Sequence, residues 1–200
     1  AESHARRSCQ TAMFHILEAM VRWLAPIISF TADEAWATMP GARGDTVFTE
    51  EWYDGLFTLD EGEALGREYW AQLLELRQVV AKQMEPMRKA KEIGSSLQAE
   101  VTVYADSPLA DNLNKLGDEL RFVMITSTAQ VLPLADKPAD AIEAEVAGAK
   151  IALSVAPSSN VKCDRCWHYR ADVGVVAAHP CLCQRRVDNV DGDGEVRQFA

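Results

Sequence analysis

Four of the chain's five cysteines crowd into one stretch, at Cys163, Cys166, Cys181 and Cys183. Cys163-Asp-Arg-Cys166 is a C-x2-C turn, the spacing from which two thiolates reach one tetrahedral ion. A second cysteine pair about fifteen residues on turns that motif toward structural zinc. A lone C-x2-C also serves redox chemistry, but no βαβ pattern surrounds this one. The energetics agree. The last forty residues hold few large apolar side chains beyond Trp167, Leu182, Phe199 and some valines, and about 40 residues do not usually fold on core burial alone. A structural zinc supplies on the order of 10–16 kcal/mol in such modules. Cys9 stands apart on the first helix and reads as a small buried hydrophobe.

Arg165 and Trp167 bracket Cys166, so a fixed turn would present a guanidinium beside an indole. Unpaired RNA bases are read by stacking on such planes and by hydrogen bonds to their edges. Trp167 also has a plainer reading, as the large core residue of its module. His168 reads as a packing or surface histidine. Lys162, Arg170 and Arg185 are candidate phosphate contacts. The charge balance points to the same end of the chain. The 200 residues carry a net charge of −10, from 20 basic and 30 acidic side chains. From Val161 onward the two signs balance, so the whole acidic excess lies in the first 160 residues. A polyanion therefore belongs at the tail.

No catalytic signature accompanies these residues. There is no G-x-G-x-x-G, no P-loop and no His-Glu-x-x-His, and His4 and His15 lie on a helix without a matched nucleophile. The start, Ala1-Glu2-Ser3-His4, has no initiator Met and no apolar core before a cleavage site, which reads as a piece of something longer rather than a secretory leader. The densest apolar run, Val21 to Phe30, is broken by Arg22 and Pro26 and is too short to span a bilayer.

The elements that must position the tail follow from hydrophobic period. Phe14, Leu17, Met20, Val21 and Leu24 form a helical stripe that stops at Pro26. Thr31-Ala-Asp-Glu34 fits a capping box opening a second helix through Trp36, which ends by Pro40. Asp60 with Glu63 reads as another start. From there Trp70, Leu73, Leu76, Val80, Met84 and Met87 recur at steps of three and four, with Pro86 kinking or shortening the end. These stripes read as helix-bundle core. The pattern changes at Gly94-Ser95-Ser96. Glu100 to Tyr104 alternates as a strand does, Ser107-Pro108 opens a helix carrying Leu109, Leu113, Leu116 and Leu120, and Phe122–Ile125, Gln130–Leu134 and Lys150–Val155 are further strand candidates. The expectation is mostly α, then α+β. Residues 1–93 form part of a helical bundle, 94–160 a small α+β unit, and 161–200 a zinc ribbon.

Lys162-Cys163-Asp-Arg-Cys166-Trp167-His168-Tyr169, Asp172-Val173-Gly174, His179-Pro180, Leu182-Cys183-Gln184-Arg185 and Asn189-Val190-Asp-Gly192-Asp-Gly194-Glu195 together resemble the C-terminal zinc ribbon of bacterial isoleucyl-tRNA synthetases. Ile93-Gly94-Ser95-Ser96-Leu97-Gln98-Ala99 is similar to that family's junction into its small C-terminal domain, and Phe199-Ala200 to its natural end. Trp23-Leu24-Ala25-Pro26-Ile27 with Phe30-Thr31-Ala32-Asp33-Glu34-Ala35-Trp36 resembles its anticodon-binding helical bundle. The resemblance implies a cytoplasmic, monomeric ligase that charges tRNA(Ile) with isoleucine using ATP, in an N-terminal catalytic part whose signatures this chain lacks. Alone, the chain would bind and not turn over. The resemblance further implies one zinc ion per chain, and an anticodon lying at the turn near Arg165 and Trp167.

One position departs from the family's pattern, which closes with a second C-x2-C. Cys163, Cys166 and Cys183 fall on its first three cysteines, but the fourth is Arg186, whose guanidinium offers only donors and cannot ligate zinc. Cys181 or His179 could substitute, or the site could be weakened or absent; Arg186 could offset the charge of three thiolates without binding. Two other classes compete. Fpg-type DNA glycosylases end in a similar ribbon that binds duplex DNA, but need an N-terminal proline that Ala1-Glu2 does not supply. The third is a zinc-stabilised protein-interaction module.

Overall fold

The computed structural model describes residues 4–59 and 62–199. Among these the helices are α1 (His4–Leu24), α2 (Ser29–Thr38), α3 (Arg67–Lys89), α4 (Leu109–Asn114), α5 (Leu120–Met124) and α6 (Gln184–Asp191). The strands are β1 (Ala99–Tyr104), β2 (Thr128–Leu132), β3 (Ile142–Val146), β4 (Ala149–Pro157), β5 (Val161–Lys162) and β6 (Tyr169–Arg170). The chain divides into two compact units, Ala1–Leu59 and Asp60–Ala200. No helix of the described residues is long and apolar enough to cross a membrane.

In the first unit α1 ends just before Pro26, which cannot continue the ladder. Val21, Ala25, Ala32, Trp36, Met39 and Val47 form a small core. The α1 stripe is only half used: Phe14, Leu17 and Met20 are exposed, and so is Cys9. Within this unit α2 and the turn Val47–Thr49 pack on α1, and Trp52, Tyr53 and Phe57 of the following loop lie against Trp23 and His15. The expected capping box is not formed. α2 starts at Ser29 without a side-chain cap, and Asp33 instead accepts from Thr46 Oγ1 at 2.6 Å and Val47 N at 3.1 Å, holding the following loop.

Glu18 is an unforeseen feature. It is 4% exposed and sits between two arginines, with Arg22 Nη1 at 2.6 Å and Arg43 Nη2 at 2.5 Å. Both guanidiniums also lie over the Trp36 ring, at 4.7 and 4.6 Å. Burial pushes the Glu18 carboxyl up, but hydrogen bonds and charge from Arg43 and Arg22 outweigh it and hold the group below its ordinary range.

The second unit is a four-stranded sheet in the order β2-β1-β4-β3, with β1 parallel to β2 and the other pairs antiparallel. A parallel pair needs a crossover, and α4 and α5 supply it. β1 turns Ala99, Val101 and Val103 to one buried face, as its alternation requires. α3 lays Tyr69, Leu73, Leu76, Val80 and Met84 into the same core as Leu109, Leu113, Leu116, Leu120, Ile151 and Leu153. The α3 stripe thus lines the core of the sheet, and the compact units divide between Leu59 and Asp60. The helix start expected at Asp60 lies outside the described residues, and α3 begins at Arg67. It runs through Pro86 and ends one turn later.

Two strand expectations change. Phe122–Ile125 lies in the α5 turn and its left-handed cap, Ile125 having φ of 57°. β3 falls on Ile142–Val146, the acidic stretch that reads as a connection. It is an edge strand, and it pairs with β4 through a tight turn in which Ala147 and Gly148 both have positive φ.

The ribbon pairs β5 with β6 and closes with α6. Tyr169 N donates to Ser127 Oγ at 2.6 Å, tying the ribbon to the turn just before β2. The chain end returns as well: Gln198 N and Phe199 N donate to the Glu119 carboxylate at 2.6 and 2.9 Å.

Candidate metal centre and nucleic-acid interface

The turn from Cys163 to His168 is closed by its own backbone. Trp167 N donates to Cys163 O at 2.8 Å and Cys163 N to His168 O at 2.9 Å. A second loop crosses it, with Asp164 N on Cys181 O at 3.1 Å and Gly174 N on Leu182 O at 3.1 Å. Gly174 has φ of +81°, and a Cβ there would lie 2.8 Å from Pro180 O, so only glycine lets the two loops approach. Cys183 caps α6, and its N–H faces Cys163 Sγ at 3.4 Å.

This framework brings together Cys163, Cys166 and Cys183, whose sulfurs all lie within 4.8 Å of one another. Cys166 Sγ and Cys183 Sγ are 3.7 Å apart. A tetrahedral ion with sulfur ligands at about 2.3 Å requires sulfur pairs about 3.8 Å apart, so these donors fit zinc. Their ionisation is tuned in opposite directions. Burial pushes the Cys166 thiol up, but hydrogen bonds from His168 and Arg185 prevail and draw it down to about 5. Burial and the neighbouring Cys166 charge push Cys183 up, to about 11. A cation between the two sulfurs removes that conflict.

The other candidate ligands stand elsewhere. Cys181 is exposed and outside the cluster. His179 Nε2 is held by Asp191 Oδ2 at 2.5 Å. His168 is buried with its ring edge against Phe122. Arg186 donates its backbone N–H to Cys183 O in the first turn of α6.

The residues expected at RNA separate into two groups. Trp167 is 60% exposed and adopts φ of 66°, a left-handed conformation that a bulky side chain rarely takes. The indole is displayed and does not fill the ribbon, which removes the core reading. Lys162 Nζ lies 5.1 Å over that ring, and Arg165 is exposed on the same turn. Arg170 and Arg185 are half-buried and committed internally: Arg170 lies within 4 Å of Asp118 and Asp172, and Arg185 pairs with Glu195 at 3.0 Å.

Sequence reading missed the setting of that second group. Arg121, Arg185 and Arg197 surround the Phe122 ring at 4.5, 5.1 and 4.2 Å, and with Arg170 they line a cavity of about 620 Å³. Arg121 is 5% exposed; burial and the charges of Arg170, Arg185 and Arg197 draw its guanidinium down to about 10. Asp118 and Glu195 offset the cluster. Four distant segments supply these arginines, so no spacing in the sequence announces them.

Two families match. Residues 1–103 match the anticodon-binding domain of tRNA ligase, and residues 162–185 the zinc finger found in FPG and IleRS. Over its full length the chain is 61% identical to an isoleucine–tRNA ligase of Serratia proteamaculans, 58% to one of Aeromonas hydrophila and 56% to one of Pseudomonas paraeruginosa. It spans about a fifth of the length of these relatives, 21% of each. With half of its residues matched in one continuous block, the chain belongs to the family of tRNA-ligase anticodon-binding domains.

Proposed function

We propose that this chain is the C-terminal, tRNA-binding portion of an isoleucine–tRNA ligase. The rest of that enzyme carries the ATP-dependent charging of tRNA(Ile) with isoleucine, and is the chain's constant partner. We place it in the cytoplasm as a monomer. Residues 1–93 serve as part of the anticodon-binding bundle, 94–160 as a junction domain and 161–200 as the zinc ribbon. The observation that carries this reading is the exposed Arg165–Trp167 pair on a turn whose two cysteines meet Cys183. Full-length identity to isoleucine–tRNA ligases supports the choice of RNA.

Zinc held by Cys163, Cys166 and Cys183 would cross-link the turn to α6. The indole of Trp167 then stacks on an unpaired anticodon base while Arg165 bonds a base edge. Lys162 meets the phosphate backbone from beside the indole, and Arg170 and Arg185, being paired within the ribbon, contribute less to that contact.

Competition in a gel shift between a tRNA bearing the isoleucine anticodon and an abasic DNA duplex tests the reading. Preference for the tRNA supports it. Preference for the duplex favours a glycosylase-like ribbon, and binding to neither favours a protein-interaction module.

A further inference from the structure

A closed zinc site takes four ligands, and this chain brings three of them together. Among the described residues the other candidates stand outside the cluster. Cys181 is exposed, and its backbone carbonyl, not its sulfur, faces the turn, accepting from Asp164 N at 3.1 Å. His179 is 2.5 Å from Asp191. His168 directs Nδ1 at the Cys166 carbonyl, 3.2 Å away; its Nε2 is buried with no hydrogen-bond partner, yet no imidazole nitrogen joins the three sulfurs among the described residues. The position three residues after Cys183 is Arg186, which has no atom able to ligate a cation. Its Nε is buried with no hydrogen-bond partner among the described residues, a donor left without an acceptor.

We propose that Cys163, Cys166 and Cys183 are the chain's whole contribution to the metal, and that the fourth donor is an oxygen from solvent. The inference rests on the ribbon being a zinc site. It adds a form of regulation to that reading. Metal binding in so small a module is also its folding energy, so a site one donor short orders the Arg165–Trp167 turn only over a narrower range of free zinc.

X-ray absorption at the zinc edge, in thiol-free buffer, tests this on the full chain. The wild type, Cys181→Ser and His179→Ala should each read three sulfurs and one oxygen. Arg186→Cys should read four sulfurs and keep its zinc at free-metal levels lower by more than roughly tenfold, the smallest change that even outer-shell alterations produce. Four sulfurs in the wild type that fall to three in Cys181→Ser would overturn the proposal. So would an imidazole signature that vanishes in His179→Ala or in His168→Ala. A wild-type protein that takes up no zinc at all would instead overturn the zinc-site reading beneath it.

Discussion

The sheet of the second unit and the ribbon attached to it become ordered by different means. The sheet buries aliphatic side chains from α3, α4, β1 and β4 in one continuous core. In the ribbon the buried residues are Cys163, Cys183, His168 and Val187, and only the valine is an ordinary core side chain. The first can lose a methyl group and survive; the second depends on a few donor atoms. The difference also sorts function. The apolar body carries an acidic excess, and the cysteine-rich turn is where a cation and an indole stand exposed together.

Perturbations should therefore separate the two regions, starting with the thiols. Cys163→Ser removes one of three donors from a module whose metal is worth on the order of 10–16 kcal/mol, and should abolish zinc uptake in a metal assay. NMR signals of residues 161–199 should collapse while those of β1–β4 persist. The apolar counterpart is Leu73→Ala, which should lower the unfolding free energy of the sheet by about 2–5 kcal/mol in urea and leave zinc stoichiometry at one.

Glu18 gives the first unit its own test. Glu18→Gln leaves Arg22 and Arg43 without their shared carboxylate and should cost about 3 kcal/mol in urea unfolding at neutral pH. Because the folded carboxyl lies below its ordinary value of 4.5, its stabilisation is complete above that value and lost as pH falls through the lowered one. The Gln variant should lack that acid limb.

The smallest effects concern RNA. Trp167→Ala should weaken anticodon stem-loop binding by about 1–3 kcal/mol, with zinc content and the melting curve unchanged. Lys162→Ala should reduce the slope of log affinity against log salt by about 0.7, one phosphate contact on a single strand.

What could be read from the sequence follows the same division. The alternation of Glu100–Tyr104 and the Leu73-Leu76-Val80-Met84 stripe are periodic signals, and both appear as β1 and the buried face of α3. The stripe announced burial but not its partner, which is the core of the sheet. Phe122–Ile125 is a short apolar run, which period alone cannot assign, and it folded as helix. β3 escaped notice because Glu143 and Glu145 sit on an edge strand, where charge is tolerated and the core demands little. In the ribbon, the C-x2-C spacing announced Cys163 and Cys166, and the resemblance to the synthetase ribbon picked out Cys183 beside them, whereas the arginines around Phe122 meet only through tertiary folding.

Hydrogen exchange before and after a strong zinc chelator tests the central contrast most directly. The account predicts that amides of Val161–Phe199 lose protection on chelation while those of β1, β4 and α3 keep theirs, and that readding zinc restores the difference. Equal protection of both regions after the metal is gone, or loss of both together, would contradict it.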